Sequence, residues 1–272
     1  MNKKTKLILL SAIGMILLTS LIILLVINGN IARGDIMLIH DEEYLVDEIE
    51  TIEIRSVNSD INIINTEEDS IRVVIYDVKN KRIEVTDRNG RLVIRNQHRT
   101  FCFIFCINTS HRNSRINVYV PEEFQGSISI NTVSGDVDIE NFVMNDVNVR
   151  TVSGDITIKE VNEADLYTVS GDIRINSVDQ LNMRSVSGNL TVLNVFDYLI
   201  VQTTSGNVAI TDAYLLNDSS IRTVSGTVLI DALNEVTVNA RSTSGRVSIF
   251  ENTRNSDIEL DISTVSGNIN IN

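Results

Sequence analysis

The sequence predicts an all-β protein, namely a repetitive β-solenoid or β-helix of about eight regular coils preceded by one N-terminal transmembrane helix. Three observations support this prediction. Octets of the type TVSGDITI recur through the second half of the chain, apolar and polar residues alternate around them, and an uncharged apolar segment lies near the N-terminus. The β-branched residues that dominate the repeats favour strands.

Residues 7–27 are the predicted transmembrane signal anchor. They carry no charge and would extend about 31 Å as a helix, which is enough to cross a bilayer core. A cleaved signal peptide is the alternative, but the apolar run is long for one and no small-x-small cleavage site follows it. Lysines in residues 1–6 mark a cytoplasmic tail, so we expect a single-pass protein of the cell membrane with its bulk extracytoplasmic.

The part of the chain after the anchor is acidic. Without the three lysines of the tail, 20 of the 23 basic residues remain against all 36 acidic residues, a formal charge of −16. Such a charge repels nucleic acid and anionic lipid in general, so no nucleic-acid partner is expected. A solvated acidic surface, a cationic ligand or divalent ions would each be compatible with it.

Eight octets, beginning with TVSGDVDI at Thr132 and ending with TVSGNINI at Thr264, define the repeat. A ninth, degenerate copy, SVNSDINI, starts at Ser56. Each unit reads as two short strands joined at a glycine, where we expect a structural turn with positive φ. One unit cannot bury its own apolar face, so stacked units with a shared core are predicted. The turn glycines are Gly135, Gly154, Gly171, Gly188, Gly206, Gly226, Gly245 and Gly267.

A β-propeller is the competing repeat architecture. Its blades need about 40 residues, and the units here are too short for that. Residues 28–48 are expected to form a juxtamembrane spacer, residues 49–125 an irregular N-terminal β region, and residues 126–272 the regular solenoid. Within the irregular region, the segment 87–90 is a good hairpin turn between two strands.

The TVSGD-type octets, the segment IEIRSVNSDINI and the stretch RINVYVP resemble the bacterial "putative adhesin" family of domains of unknown function, which includes LiaG-like membrane-anchored envelope proteins. The resemblance covers most of residues 49–272. It implies a β-solenoid at the cell surface, and it supplies no catalytic residues.

The fifth octet position is a candidate site, because stacking would align its side chains in a column. Asp136, Asp155 and Asp172 would then lie about 5 Å apart and offer oxygen ligands to Ca²⁺. The column continues with Asn, Thr and Arg, which favours a structural turn over a cation site. The serine and threonine columns of the octet have no histidine after His111 to act as a base, so nucleophilic catalysis is not expected.

Two cysteines and two histidines form a second candidate group. His98, Cys102, Cys106 and His111 have the residue types of a zinc site, although their spacing matches no standard finger. Buried free thiols and a disulfide are the alternatives. The surrounding segment FCFIFCI is apolar on both faces, which is typical of a core strand or of a docking surface.

The C-terminal edge is a predicted site of self-association. The last ten residues, STVSGNININ, contain no charge and no proline, so they lack the usual protection against strand addition. Side chains of the final asparagines could instead cap the stack.

The most direct functional interpretation is a non-enzymatic, adhesin-like binding or display module of the bacterial cell envelope, without cofactors. Its partners would be the membrane, through the helix, and a wall polymer, a surface ligand or a membrane protein. An accessory of envelope-stress sensing or envelope integrity, acting through a membrane partner, is the alternative. A β-helix carbohydrate-active enzyme is the remote one, since the chain has no Trp and few aromatic residues.

Overall fold

The computed structural model describes residues 36–78, 83–96, 114–141, 146–249 and 256–272. Strands dominate these ranges because β-branched residues alternate with polar ones along most of their length. The strands are β1 (Ile36–Leu45), β2 (Thr51–Arg55), β3 (Asp60–Thr66), β4 (Ser70–Val78), β5 (Ile83–Arg88), β6 (Arg91–Asn96), β7 (Arg115–Pro121), β8 (Ser127–Asn131), β9 (Val137–Asn141), β10 (Asp146–Arg150), β11 (Ile156–Thr168), β12 (Ile173–Ser187), β13 (Leu190–Ser205), β14 (Val208–Ala213), β15 (Ser219–Ser225), β16 (Val228–Ala232), β17 (Thr237–Ser244), β18 (Val247–Ile249), β19 (Glu259–Ser266) and β20 (Ile269–Ile271). A 3-10 turn, Val46–Glu48, joins β1 to the strands that follow.

The strands form a stack of coils, and each coil contributes one strand to each of two parallel ladders. The long strands β11, β12 and β13 show the pattern, since the first part of each lies in one ladder and the last part in the other. Ile156 lies beside Ile173, and Leu166 lies beside Met183. These side chains are fully buried and belong to one continuous core that runs through the stack. The all-β prediction is confirmed, and stacked parallel coils are the architecture that the repeats predicted.

The spatial order of the coils differs from the sequence order at the N-terminal end. β2 pairs with β6 on one side and β8 on the other, and β3 pairs in the same way with β7 and β9. The coil formed by residues 51–66 therefore lies between the coil of β6 and β7 and the first octet coil. The degenerate copy that begins at Ser56 is thus a member of the stack, with Ile61 beside Val137.

A second exchange of order occurs at the other end. β19 and β20, the last strands of the chain, pair with β15 and β16 on one side and with β17 and β18 on the other. Ile269 is fully buried between these neighbours. The last octet is therefore an inner coil, and both of its edges are already paired. The prediction that this octet forms a free edge for self-association is wrong. Among the described residues, β17 and β18 form the terminal coil, and Val247 and Ile249 are 37% and 42% exposed there.

The N-terminal end of the stack is covered by antiparallel strands. β5 pairs with β6, β4 pairs with β7, and β1 pairs with the outer edge of β4. The turn between β5 and β6 has Asn89 and Gly90 at φ values of 52° and 74°, the left-handed backbone that two-residue hairpins require. The predicted hairpin is confirmed. Its strands act as a cap that shields the core of the first coil from water.

Some predicted features fall outside the described ranges. They are the anchor, residues 7–27, the group His98, Cys102, Cys106 and His111, and the segment FCFIFCI. Where the structure does describe the chain, no helix has the length and apolarity needed to cross a membrane.

Candidate functional site

The octet corner, defined as the Ser-Gly-Asx turn between the two strands of a coil, depends on glycine because adjacent backbones approach closely. A Cβ atom built on Gly154 would lie 1.9 Å from the carbonyl oxygen of Gly135, and one on Gly171 would lie 1.9 Å from that of Gly154. Only Gly226 among the eight octet glycines has a positive φ, and its value of 157° is close to extended. The positive φ expected at these glycines is wrong, and the close approach of neighbouring backbones is instead the reason that these positions require glycine.

The fifth octet position forms a hydrogen-bonded ladder between coils. Oδ1 of Asp136 accepts the amide N–H of Asp155 at 3.0 Å, and Oδ1 of Asp155 accepts that of Asp172 at 2.9 Å. The pattern continues through Asn189 and Asn207, whose side-chain oxygens accept the amides of the next coils. Asparagine and aspartate are interchangeable here because both offer the same acceptor atom.

The second carboxylate oxygens of Asp155 and Asp172 are paired with an arginine. Arg174 donates to Oδ2 of Asp172 at 3.2 Å and to Oδ2 of Asp155 at 3.4 Å. Within the part of the chain that the structure describes, no group of three or more His, Cys, Asp or Glu side chains is arranged to hold a metal ion. Both oxygens of the Asp155 and Asp172 carboxylates have a donor within the chain, so these two side chains have a structural role at the corner.

Two further aspartates lie beside this row of acidic residues, the acidic strip: Asp60 in the preceding coil and Asp138 in the same coil as Asp136. Partial burial raises the pKa of the Asp60 carboxyl, and the negative charge of Asp136 raises it further. Partial burial also raises the pKa of Asp138, with a smaller contribution from Asp136. Oδ1 of Asp60 accepts the amide N–H of Asp136 at 3.3 Å, so Asp60 is the first acceptor of the ladder.

In the first three octet coils the threonine hydroxyl at the first octet position is buried and accepts a hydrogen bond from the corner glycine. Oγ1 of Thr151 accepts the amide N–H of Gly154 at 3.0 Å, and Oγ1 of Thr168 accepts that of Gly171 at 3.0 Å. In later coils the glycine amide bonds instead to the serine carbonyl of the next coil, for example Gly206 to Ser225. This change leaves four buried hydroxyls without a hydrogen-bond partner in the described structure. They belong to Ser185, Thr203, Thr223 and Thr264.

A buried polar cluster lies at the N-terminal end of the stack, and the sequence reasoning missed it. Oδ2 of Asp77 accepts hydrogen bonds from Ser114 at 2.9 Å and from Asn96 at 3.1 Å. The hydroxyl of Ser59 lies 2.8 Å from that of Ser114. Ser59 stands where the octets have glycine, and this substitution in SVNSDINI is the signal that could have revealed the cluster. Its position under the cap indicates a structural role.

The strands that precede each corner form one of the two parallel ladders. The outer surface of that ladder carries an exposed valine column at the second octet position. Val152, Val224 and Val265 are 45%, 50% and 51% exposed. Parallel register aligns one such residue from each coil along the stack. In spatial order the column consists of Val57, Val133, Val152, Val169, Val186, Thr204, Val224, Val265 and Thr243.

An arginine column runs beside it, two residues earlier in each coil. Adjacent members are register partners, as Arg150 is with Tyr167 and Tyr167 is with Arg184. Most of the arginines in this column are exposed. In spatial order the arginine column consists of Arg95, Arg55, Asn131, Arg150, Tyr167, Arg184, Gln202, Arg222, Ser263 and Arg241.

Comparison with known proteins identifies relatives of this fold. A family model described as Toastrack DUF4097 matches residues 49–272, and no curated protein matches the sequence. A structure titled "putative lipid binding protein" from Parabacteroides distasonis has a TM-score of 0.59 and 17% identity, covering 88% of this chain and 98% of its own. A "putative adhesin" from the same organism has a TM-score of 0.54 and 11% identity, with coverages of 88% and 98%. At these identities the likeness shows the fold alone.

Proposed function

Because the chain belongs to the Toastrack DUF4097 family, as its octets had indicated, and because its coils form one continuous stack with regular outer columns, we propose that it is a non-enzymatic, adhesin-like binding module of the cell envelope. We place it on the outer face of the cell membrane, held by residues 7–27. Its ligand would be a component of the wall or of a neighbouring surface.

The observation that carries this proposal is the regularity of the exposed columns. Each coil adds one valine or threonine to the valine column, so the surface repeats every ~4.8 Å along the stack. A surface of this kind is suited to an extended ligand that repeats along its own length. Exposed apolar side chains in a contiguous row are also typical of interaction surfaces.

The placement of the anchor is supported by the sequence and by β1. Eight residues separate the end of the uncharged segment 7–27 from the start of β1. Ile36, Met37 and Leu38 at the start of β1 are 42%, 41% and 51% exposed, which suits a strand close to the membrane surface. The absence of catalysis is proposed because the aligned threonine hydroxyls are buried and serve the corner, as in Thr151 and Thr168.

Two measurements test the proposal on the full-length protein. Protease added to intact cells should degrade a C-terminal tag, whereas protection of that tag would refute the extracytoplasmic placement. Purified protein in detergent micelles should sediment with isolated wall material. Capture of one defined membrane protein without wall binding would favour the accessory function, and release of reducing sugar from the wall would contradict a non-enzymatic module.

A further inference from the structure

The arginine column alternates in charge once the coils are placed in spatial order. From Arg55 onwards, every second coil supplies an arginine and every intervening coil supplies Asn131, Tyr167, Gln202 or Ser263. The sequence order hides this pattern, because Arg222 is followed by Arg241. Insertion of the last octet coil places Ser263 between these two arginines.

Alternation explains how a parallel sheet tolerates so many like charges. Identical charges on directly adjacent strands destabilise a sheet, and a neutral residue between them doubles their separation to about 10 Å. Stability alone does not explain why the arginines share one column. From Gly126 to the C-terminus the chain has eight basic residues, and half of them are in this column. The eight are Arg150, Lys159, Arg174, Arg184, Arg222, Arg241, Arg246 and Arg254.

Several guanidinium groups of the column are available to a ligand. Arg55 pairs with Glu53, and Arg150 lies 3.9 Å from Asp165. No ion pair involving Arg184, Arg222 or Arg241 occurs among the described residues. All three side chains are exposed, so binding an anion would not require an existing ion pair to break.

Building on the proposed function, we propose that the arginine column binds a linear anionic wall polymer whose phosphodiester or carboxylate groups follow the axis of the stack. Arginine binds each of these groups through two parallel N–H···O hydrogen bonds. Guanidinium groups about 10 Å apart cannot share one small anion, so the ligand must repeat its charges. From Arg55 to Arg241 the column spans eight coil steps, or about 38 Å.

The surroundings of the column favour a polymer with widely spaced charges. Asp165 and Asp261 lie in the neighbouring outward column, and the valine column lies on the other side. Nucleic acid carries a charge every ~1.7 Å of duplex and would place phosphates against these carboxylates. Single strands bind mainly by stacking on aromatic side chains, and Tyr167 is the one aromatic residue of the column.

The test measures binding of the full-length protein to polymers of defined length. The probes are poly(glycerol phosphate) and polygalacturonate, which distinguish phosphate from carboxylate, with dextran as the neutral control and single-stranded DNA as the dense polyanion. The double variant Arg184→Gln/Arg222→Gln should weaken binding to the charged polymer by about a hundredfold, because each of the two lost charged contacts is worth roughly tenfold. Affinity should rise with polymer length until the polymer spans the column, and fall with added salt.

The matched control is Arg174→Gln/Arg246→Gln, which removes the same charge away from the column. It should leave binding within about twofold of wild type, because neither side chain belongs to the column and added salt screens exposed charges that do not contact the polymer. Circular dichroism and the melting temperature establish that both double variants fold. Equal loss in the two double variants, binding of dextran, or tighter binding of DNA than of either polymer would overturn the assignment. Wall sedimentation that persists in the Arg184→Gln/Arg222→Gln variant would leave the proposed function standing and remove only this ligand surface.

Discussion

Replacing Thr151 by valine tests whether the corner hydroxyl stabilises the coil. The two side chains have nearly the same shape, but valine cannot accept the amide N–H of Gly154, which is 3.0 Å away and buried. A buried donor that loses its acceptor costs about 1–3 kcal/mol. With a urea m-value of about 3 kcal/mol/M, the unfolding midpoint should fall by about 0.3–1 M. The Gly154 amide should also exchange its hydrogen faster, which reports the loss locally.

Thr203→Val is the matched control at the equivalent position of a later coil. Its hydroxyl is buried without a hydrogen-bond partner in the described structure, so removing it should be neutral or stabilising by up to about 1 kcal/mol. Urea titration followed by circular dichroism suits both variants, because the chain contains no tryptophan. Equal destabilisation by Thr151→Val and Thr203→Val would refute the reasoning, since the hydrogen bond to glycine would then not be the cause.

Three further predictions concern the corner, the coil order and the acidic strip. Gly171→Ala should cost at least about 3 kcal/mol or prevent folding, because its Cβ would lie 1.9 Å from the Gly154 carbonyl oxygen; a melting curve that matches wild type would contradict the close approach. Ile269→Lys should lower the melting temperature far more than Val247→Lys, since only Val247 is on the terminal coil, and the reverse ranking would refute the coil order. Burial raises the pKa of Asp60 in the folded state above its value in the unfolded chain, so folding favours the protonated carboxyl. This contribution to stability is lost as the pH rises through the folded pKa. Asp60→Asn should therefore raise the urea midpoint at pH 7 but not at pH 3, and an equal effect at both would exclude titration as the cause.

The repeat made most of the fold predictable, because its signals are local. The alternation of apolar and polar residues predicted the strands, and the turn residues Asn89 and Gly90 predicted the hairpin. The candidate column of Asp136, Asp155 and Asp172 was also correctly aligned by the octet register. The sequence left the role of each aspartate open, because only the structure shows which amide donors lie close to its carboxylate oxygens.

The arginine column shows why part of the surface was not predictable. In the sequence, Arg222, Arg241 and Ser263 follow one another without alternation, and they became a regular pattern only when the last coil was placed between its neighbours. The fifth octet position contained a hint of this order. Arg246 has no side-chain acceptor for a following coil, and its amide N–H donates the last hydrogen bond of the ladder to Oδ1 of Asn268, as a terminal residue would.

The sequence by itself determined the secondary structure, the length of the coil and the residues that face the core, because these depend on alternation and spacing within one unit. The tertiary structure alone decided which coils are neighbours. All octet coils present similar strand edges, so many orders satisfy the local pattern equally well. The choice is made by long-range pairing, which places residues 51–66 and 259–271 inside the stack and brings distant arginines into one column.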